Sequence, residues 1–316
     1  FFRELGIRPP DHNLGLGASR PDRVRRMIDG VGCLLTAQRP DWVLVYGDTD
    51  STLAGTLAAA RLRIPVAHVE AGVRSFNRAM PEEINRVMTD LLSDLLFCPA
   101  ESAVRNLAAE GITRGVHLTG DVMLEALLQA EERALASSDI LRGLSLREGS
   151  FILATVHRAE NADVPERLAG ILDALDTVGQ EVVFPVHPRT RREIAKIGWS
   201  SRKKPAERGL RFLDPVGYLD MIMLERSALC IMTDSGGMQK EAYWLGVPCI
   251  TLRDETEWAE TVGSGWNVLA GADTRRILDA FCTLRRPAER PALYGEADPS
   301  QRCIELLESS CRIVER

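Results

Sequence analysis

The chain has 316 residues, of which 45% are hydrophobic and 27% are charged, and its formal net charge at pH 7 is −6. This length predicts two domains with separate hydrophobic cores, and the interspersed charges argue against the broad positive surface that a nucleic-acid partner requires. The seven cysteines form no CxxC pair or Cys/His cluster and no run of about 18 residues is apolar, so we expect a cytoplasmic protein without disulfides, bound metal or membrane anchor.

The chain begins FFRELGIRPP, without Met and in a pattern typical of a helix that leads into a loop. We therefore expect an upstream segment to be missing from this sequence. From residue 40 onward, short apolar and β-branched runs alternate with longer stretches in which apolar residues recur every three or four positions, which predicts an α/β fold. The first series of predicted strands covers residues 42–46, 65–69, 95–98 and 116–119.

A second series of strands follows a weakly apolar stretch at residues 137–148, which we interpret as a hinge region. Two parallel-sheet domains, at residues 1–145 and 146–300, are expected, because alternating strands and helices build parallel sheets. The last helix, at 301–316, has no strand after it and could cross back onto the first domain. The predicted strands of the second series cover residues 151–156, 182–186, 210–213, 229–233, 248–252 and 267–269.

Ligands of parallel α/β sheets bind at the carboxyl ends of the strands, so the residues that follow each strand are candidates for a site. The segment TDSGG at 233–237 ends a strand and begins a helix, which can place backbone amides and the Ser235 hydroxyl around a phosphate. Glu241 lies four positions after Gly237, on the same helix face, where its carboxylate could accept both hydroxyls of a ribose. The same residue types also form simple helix caps, so both interpretations of the segment stay open.

Three carboxylates are expected near one sheet edge in the first domain: Asp48 and Glu70 each follow a predicted strand, and Glu82 begins a predicted helix soon after. Crowded and partly buried carboxylates can divide the roles of acid and base between them. Taken singly, each of the three is more typical of a helix cap or a solvated charge.

Two of the five histidines, His157 and His187, each end a predicted strand of the second domain. A histidine at that edge can donate to a diphosphate or transfer a proton, and Arg158 beside His157 adds a positive charge. His187 could equally fix a loop by bonding a carbonyl group. His68 lies within a strand and is more typical of a core residue whose hydrogen bonds are satisfied.

Six segments of the chain form a specific combination in their order and separations: VYGDTDSTLAG, HVEAGVRSFNRAMPEEINR, LTGD, TVHRAEN, FPVHPRT and MTDSGGMQKEA. Together they closely resemble the non-hydrolysing UDP-N-acetylglucosamine 2-epimerases, over nearly the whole chain. The resemblance implies two Rossmann-like domains that face each other across a cleft, the glycosyltransferase-B architecture. It also implies interconversion of UDP-GlcNAc and UDP-ManNAc without a redox cofactor, commonly by a homodimer.

The implied reaction has two stages. Loss of UDP from C1 together with the C2 proton gives a 2-acetamidoglucal, and re-addition on the other face of C2 gives the epimer, which requires a base and diphosphate donors. By this resemblance Asp48 and Glu82 are the proton-transfer pair, Glu70 is an orienting or third acidic group, and His157 donates to the departing phosphate. The implied contacts to diphosphate and ribose are Ser235, Gly236, Gly237 and Glu241, with His187 and Arg158 as further candidate substrate contacts.

The chain departs from the family pattern in two places. The amino-terminal strand and its GTRPE-type loop are absent, so we expect lower stability and turnover than in a version that contains them. The segment TEWAE at 256–260 stands where the best-known bacterial branch has TERPE, and Trp258 replaces an Arg that contacts the nucleotide sugar. This pattern resembles a branch that includes epimerases of UDP-2,3-diacetamido-2,3-dideoxyglucuronate, so the identity of the sugar stays open.

Two other classes of protein would share some of these features. A glycosyltransferase with the same architecture would share the diphosphate-binding helix and the ribose carboxylate, but it would not need three acids and would exchange no C2 hydrogen with solvent. A binding protein would hold the UDP-sugar without turnover. We rank the epimerase first, the transferase second and the binding protein third.

Overall fold

A computed structural model of the chain describes residues 4–16, 22–199, 209–295 and 298–314, with the side chains of 311–314 excepted. The chain divides into two compact units, and each contains two separate segments of the sequence. Unit 1 comprises Phe1–Arg8 and Ala126–Pro291, and unit 2 comprises Pro9–Glu125 and Ala292–Arg316.

Ten strands and fourteen helices lie in the described ranges, and none of these helices is long and apolar enough to cross a lipid bilayer. The strands are β1 Val43–Tyr46, β2 Val66–Val69, β3 Leu95–Cys98, β4 Val116–Leu118, β5 Phe151–Thr155, β6 Glu181–Pro185, β7 Leu210–Leu213, β8 Cys230–Thr233, β9 Cys249–Thr251 and β10 Asn267–Leu269. The helices are α1 Arg23–Gln38, α2 Asp50–Arg61, α3 Pro81–Leu92, α4 Glu101–Ala109, α5 Val122–Ser137, α6 Ile140–Leu144, α7 Ala159–Ala162, α8 Pro165–Thr177, α9 Pro188–Ile197, α10 Tyr218–Ser227, α11 Gly236–Leu245, α12 Ala259–Gly263, α13 Thr274–Thr283 and α14 Pro299–Val314.

Unit 2 is built around a four-stranded parallel sheet in the order β1-β2-β3-β4. Strands β2 and β3 are buried along their whole lengths, as expected for parallel strands that are covered on both faces. Helix α14 packs on this sheet, where Cys303 and Leu306 join an apolar cluster with Val69, Leu95 and Phe97. The last helix of the chain therefore completes the core of a unit whose strands come from the first part of the sequence.

Unit 1 is built around a six-stranded parallel sheet in the order β10-β9-β8-β5-β6-β7. Strand β5, with the sequence FILAT, is buried at every position. Its Ile152 and Ala154 belong to one apolar cluster, whereas Phe151 and Leu153 belong to another. Because side chains alternate along a strand, this continuous apolar run supplies the cores on both faces of the sheet.

The structure confirms all ten predicted strands, whose ends shift by no more than one residue. Residues 137–148, interpreted above as a hinge, contain α6, and its Ile140, Leu141 and Leu144 pack on an apolar cluster of unit 1. The two units divide earlier, between Glu125 and Ala126 within α5. The domain limits at residues 145 and 300 stay a prediction.

Candidate active site

Asp48 follows β1 and is held by two side chains of α3. Arg86 Nη2 donates to Asp48 Oδ2 at 2.5 Å, and Asn85 Nδ2 donates to the backbone carbonyl of Asp48 at 2.9 Å. The parallel register places Tyr46 beside Val69, so the loops that follow β1 and β2 begin side by side. Asp48 therefore lies at the carboxyl edge of the sheet, with 24% of its side chain exposed.

Glu82 lies on α3, one turn before the arginine that binds Asp48. Residues four apart share a helix face, so Glu82 and the Arg86–Asp48 ion pair lie on the same side of α3. Glu82 is half-buried, and its carboxylate has no hydrogen-bond partner among the residues that the structure describes. The structure thus brings Asp48 and Glu82 to one region and leaves the Glu82 carboxylate available to a ligand.

The neighbouring Glu83 has a structural role instead. Its buried carboxylate accepts hydrogen bonds from the backbone amides of Ser75 and Phe76 and from Arg86 Nη1, each at 2.9 Å. Burial alone would raise the pKa of Glu83, but these hydrogen bonds outweigh it and lower the pKa. Glu83 therefore fixes the loop before α3, which is a role that the sequence did not reveal.

Glu70 follows β2 with a left-handed backbone conformation (φ 73°), which is uncommon for residues other than glycine. The backbone amides of Glu70 and Ala71 both donate to the carbonyl of Phe97 at 3.1 Å. The chain therefore turns sharply at Glu70, at the same sheet edge as Asp48. Such backbone conformations persist where the surrounding structure imposes them and are concentrated at functional sites.

The loop after β2 is anchored by the buried carboxylate of Asp90. Asp90 accepts a hydrogen bond from the Gly72 amide at 3.0 Å and forms an ion pair with Arg74 at 2.7 Å. His68 Nδ1 lies 2.6 Å from Asp90 Oδ1, and His68 Nε2 lies 2.8 Å from the carbonyl of Gly47. His68 is fully buried, so the prediction of a satisfied core histidine is confirmed.

In unit 1, a second buried aspartate organises the loop after β5. Asp234 accepts from the backbone amide of His157 at 3.0 and 3.2 Å, from that of Arg158 at 3.0 Å, and from Asn161 Nδ2 at 3.1 Å. His157 Nδ1 lies 3.4 Å from Asp234 Oδ1. The first residues after β5 and β8 are therefore joined through one carboxylate.

His157 and His187 lie close together at the carboxyl ends of β5 and β6. Their ring centroids are 6.2 Å apart. The imidazole of His157 is 41% exposed, and burial of the rest of the side chain lowers its pKa, while the charge of Asp234 acts in the opposite direction. His187 Nδ1 accepts from the Arg189 amide and caps α9, so His187 fixes the start of this helix through an amide and not through the carbonyl group expected above, and its substrate contact stays a prediction.

Helix α11 begins at the predicted phosphate-binding segment. Ser235 is its N-cap residue, and the Ser235 hydroxyl accepts from the Met238 amide at 3.4 Å, which leaves its proton available to a ligand. Gly236 and Gly237 lie in the first turn, where backbone amides have no acceptor within the helix. A Cβ atom on Gly236 would lie 3.2 Å from Trp258 Nε1 and 3.7 Å from Arg158 Nη2, so this helix start is closely flanked by both side chains.

A pocket of about 230 Å³ adjoins this helix start. Apolar walls with a few polar groups are typical of small-molecule sites. A larger cavity of about 490 Å³ lies at the amino-terminal end of the strands and is lined by none of the predicted site residues. The smaller pocket is lined by Thr155, Val156, His157, Pro185, His187, Pro215, Val216, Met221, Ser235 and Met238.

Glu241 is buried on α11, where its Oε1 accepts from the Tyr218 hydroxyl at 2.7 Å. Burial raises the pKa of Glu241, although the hydrogen bond from Tyr218 acts in the opposite direction. Glu225 on α10 is fully buried, and within the described ranges neither of its carboxyl oxygens has a hydrogen-bond partner. Burial and the charge of Glu241 raise the pKa of Glu225 well above its usual range, so the two carboxyl groups oppose each other's ionisation.

Comparisons with known proteins decide the family. Residues 1–308 match the family model described as UDP-N-acetylglucosamine 2-epimerase. The chain belongs to the UDP-N-acetylglucosamine 2-epimerase family. The two parallel-sheet units confirm the predicted fold class of two Rossmann-like domains, the glycosyltransferase-B type.

Three similar proteins illustrate the range within this family. A UDP-N-acetylglucosamine 2-epimerase homologue of Methanococcus maripaludis is 47% identical, over 98% of this chain and 87% of its own. The UDP-2,3-diacetamido-2,3-dideoxy-D-glucuronate 2-epimerase of Pseudomonas aeruginosa is 46% identical, over 97% of this chain and 86% of its own. The crystal structure of the Methanocaldococcus jannaschii UDP-GlcNAc 2-epimerase in complex with UDP-GlcNAc and UDP superposes with a TM-score of 0.89 at 38% identity, over 98% of this chain and 87% of that one.

Trp258, which stands where the best-known bacterial branch of the family has Arg, is buried in this structure. Only 4% of its surface is exposed, and the ammonium group of Lys240 lies 3.9 Å from the centre of its ring. Beside it, Arg253 is fully buried and donates to both carboxyl oxygens of Glu257 at 2.8 and 3.2 Å. Trp258 therefore supports the start of α11 through packing.

Five residues near the predicted site were given no role by the sequence analysis. Asp234, Asn161, Glu83, Arg86 and Asp90 each hold a loop that carries a predicted site residue. The only available signal was position, because Asp234, Asn161, Glu83 and Arg86 lie inside three of the quoted family segments. Among the residues that the structure describes, no group of three or more His, Cys, Asp or Glu could hold a metal ion.

Proposed function

We propose that this protein is a non-hydrolysing epimerase that inverts C2 of a UDP-2-acetamido sugar and interconverts UDP-GlcNAc and UDP-ManNAc. The observation that carries the proposal is the group in unit 1: a half-exposed imidazole, His157, adjoins both the start of α11, where the amides of Gly236 and Gly237 have no acceptor within the helix, and a largely apolar pocket. This combination suits a nucleoside diphosphate whose leaving group must be stabilised. Unit 2 supplies the carboxylates that proton transfer at C2 requires.

The reaction follows from these groups by elimination and re-addition. A carboxylate removes the C2 proton while the bond between C1 and the diphosphate oxygen breaks, so that UDP departs and a 2-acetamidoglucal forms. UDP then re-adds at C1 as a proton is delivered to the opposite face of C2. We assign Asp48 and Glu82 to these two proton transfers, Glu70 to orienting them, and His157 to donating toward the departing phosphate.

The nucleotide contacts are assigned to unit 1. The amides of Gly236 and Gly237 and the hydroxyl of Ser235 bind the diphosphate, with the positive charge of Arg158 beside them. Glu241 accepts from the ribose hydroxyls. The 230 Å³ pocket, at whose edge His187 lies, accommodates the base of the nucleotide.

The sugar could instead be UDP-2,3-diacetamido-2,3-dideoxyglucuronate. Two observations favour this second candidate: a relative that is 46% identical carries that name, and Trp258 stands where TERPE sequences have Arg. The elimination chemistry at C1 and C2 would be unchanged, because both sugars carry a 2-acetamido group.

Proton NMR in D₂O, with a panel of UDP-sugars that includes both candidates, tests the proposal. We expect loss of the H2 signal and a new anomeric signal from the 2-epimer with one of them, which would also identify the sugar. UDP binding without exchange at C2 would contradict the epimerase and favour a glycosyltransferase or a binding protein.

The proton-transfer roles of Asp48 and Glu82 can be tested with Glu83, the neighbour of Glu82 on α3, as the matched control. Asp48→Asn and Glu82→Gln should lower turnover by about 100- to 10,000-fold and leave UDP binding within a few fold, because a well-placed acid or base contributes roughly that much. Glu83→Gln should lower the free energy of unfolding instead, since Glu83 holds the loop before α3. Normal turnover in Asp48→Asn or Glu82→Gln would overturn that residue's role.

We also propose that the protein is a cytoplasmic homodimer, as the family resemblance implies. Light scattering coupled to size-exclusion chromatography should give twice the mass of one chain, and cell fractionation should recover the protein with soluble enzymes. A monomer at micromolar concentration, or recovery with membranes, would contradict the respective expectation.

A further inference from the structure

We propose that Asp234 is a positioning residue for His157: it holds the imidazole with Nδ1 toward its own carboxylate, so that Nε2 is directed to the departing diphosphate. This inference rests on the proposed function and extends it by a residue that the sequence analysis did not assign. It gives the reaction a two-residue proton donor in which only one member reaches the substrate.

The geometry carries the proposal. Asp234 is fully buried and cannot contact a ligand, yet it follows β8 directly and lies beside the loop that follows β5. It receives the backbone amides of both His157 and Arg158, which fixes the main chain at the histidine. The ring of His157 then lies with Nδ1 3.4 Å from Oδ1 of the same carboxylate. The described residues offer no hydrogen-bond partner to Nε2.

The same carboxylate decides which nitrogen of His157 can donate. With Nδ1–H directed at Asp234, a neutral ring would present only a lone pair at Nε2, so donation to the diphosphate requires the doubly protonated ring. Asp234 supplies the negative charge that favours this form. A neutral amide at position 234 would keep the shape of the side chain and remove that charge.

The other groups that face His157 make this charge necessary. Burial lowers the pKa of His157, and the charges of Arg158, His187 and Arg189 lower it further, whereas Asp234 is the group that raises it. These groups come from the loops after β5, β6 and β8 and from α9. Without Asp234, every remaining influence would oppose the protonated ring.

Titration of the His157 imidazole by ¹H–¹⁵N NMR, in the full chain without substrate, tests the inference. His157→Gln identifies the signals. In the wild type we expect the neutral ring to carry its proton on Nδ1, and in Asp234→Asn we expect the titration midpoint to move to lower pH. A neutral wild-type ring protonated on Nε2 would overturn the proposal, and this measurement needs no variant at position 234 that folds.

Asn161→Ala is the matched control. It removes an amide donor from the same carboxylate but leaves the charge in place, so the midpoint of His157 should stay where it is in the wild type. If Asn161→Ala and Asp234→Asn shifted the midpoint equally, the effect would be structural and the proposal would be wrong.

The pH dependence of kcat links this titration to catalysis. His157 must be protonated to donate, so kcat falls as pH rises through its pKa, and a lower pKa moves this limb to lower pH. We expect kcat of Asp234→Asn at pH 8 to fall by at least about tenfold with little change in KM. An unmoved limb would overturn the inference. If the wild type exchanges no C2 hydrogen while its imidazole titrates as described, the proposed function fails and the positioning of His157 stands.

Discussion

Each unit uses a buried aspartate to hold a histidine and the loop that carries a predicted site residue. In unit 2, Asp90 receives His68, the Gly72 amide and Arg74 beside the loop that begins at Glu70. In unit 1, Asp234 accepts from the backbone amide of His157, and its Oδ1 lies 3.4 Å from Nδ1 of the His157 ring. In both units a single buried carboxylate accepts several N–H donors at once, as its two oxygen atoms allow.

The two histidines differ in whether the second ring nitrogen is bonded and in how much of the side chain is exposed. Both nitrogens of His68 face oxygen atoms within 2.8 Å, and the side chain is fully buried. His157 has one nitrogen beside its aspartate and 41% of its side chain exposed. An aspartate–histidine pair therefore serves the scaffold when the second nitrogen is also bonded, and can serve a ligand when that nitrogen is left unused.

The largest expected effect separates these histidines by function. His157→Gln should lower turnover by about 100- to 10,000-fold and leave the free energy of unfolding nearly unchanged, because its imidazole acts on the departing phosphate. His68→Gln should lower the free energy of unfolding and leave the turnover of the folded fraction within a few fold. Steady-state kinetics and urea unfolding of both variants test this, and a reversed pattern would refute the comparison.

The next effect tests the aspartate of unit 2. Asp90→Asn should cost up to about 3–5 kcal/mol of unfolding free energy, because the 1% exposed Arg74 then keeps only the 33% exposed Glu110 as a counter-charge. Arg142→Gln is the control: this ion pair with Asp139 is more than 70% exposed on both sides, so the change should stay within about 1 kcal/mol. If urea unfolding gave the same loss of unfolding free energy for Asp90→Asn and Arg142→Gln, burial of the ion pair would not matter for its contribution to stability.

The smallest effect concerns Glu225 in unit 1, whose buried carboxyl group has no hydrogen-bond partner among the described residues. The folded pKa of Glu225 is raised above its unfolded value, so the native state binds more protons, and wild-type stability falls as pH rises above about 4.3 toward the folded pKa. Glu225→Gln has no such proton, so its stability relative to the wild type should grow with pH by up to about 1.4 kcal/mol per unit. Urea unfolding at pH 5.5 and 8 measures this.

The exposed Glu101→Gln provides the control for Glu225, since 73% of the Glu101 side chain is in solvent. Its unfolding free energy should follow the pH dependence of the wild type. A Glu225→Gln variant with that same pH dependence would mean that the Glu225 carboxyl group is ionised in the folded protein.

Much of the fold was predictable, because buried parallel strands have continuous apolar sequences. All ten strands were predicted in this way, and the strand ends correctly located the loops that carry Asp48 and His157. The distinction between His68 and His157 was also predictable, since one lies within a strand and the other ends one. The local sequence pattern was sufficient to predict features that depend only on residues close together in the chain.

The parts that escaped prediction depend on contacts between distant residues. Asp234 binds a histidine 77 positions away, and Arg86 binds an aspartate 38 positions away. Glu82 and Glu83 are adjacent and chemically alike, yet only the fold decides that Glu83 faces the backbone amides of Ser75 and Phe76. Pairings of this kind have no periodicity in the sequence and follow only from the sheet order and helix packing.

The position of α14 has a consequence for how the protein is made. The chain leaves the ribosome amino terminus first, so the strands of unit 2 emerge long before Cys303 and Leu306, which complete their apolar cluster. Among the described residues, the cluster on one face of the unit 1 sheet includes none beyond Leu284. That face of the unit 1 sheet can therefore be covered before α14 is synthesised, whereas the cluster of Val69 and Phe97 in unit 2, whose strands are translated earlier, is completed only after α14 has followed.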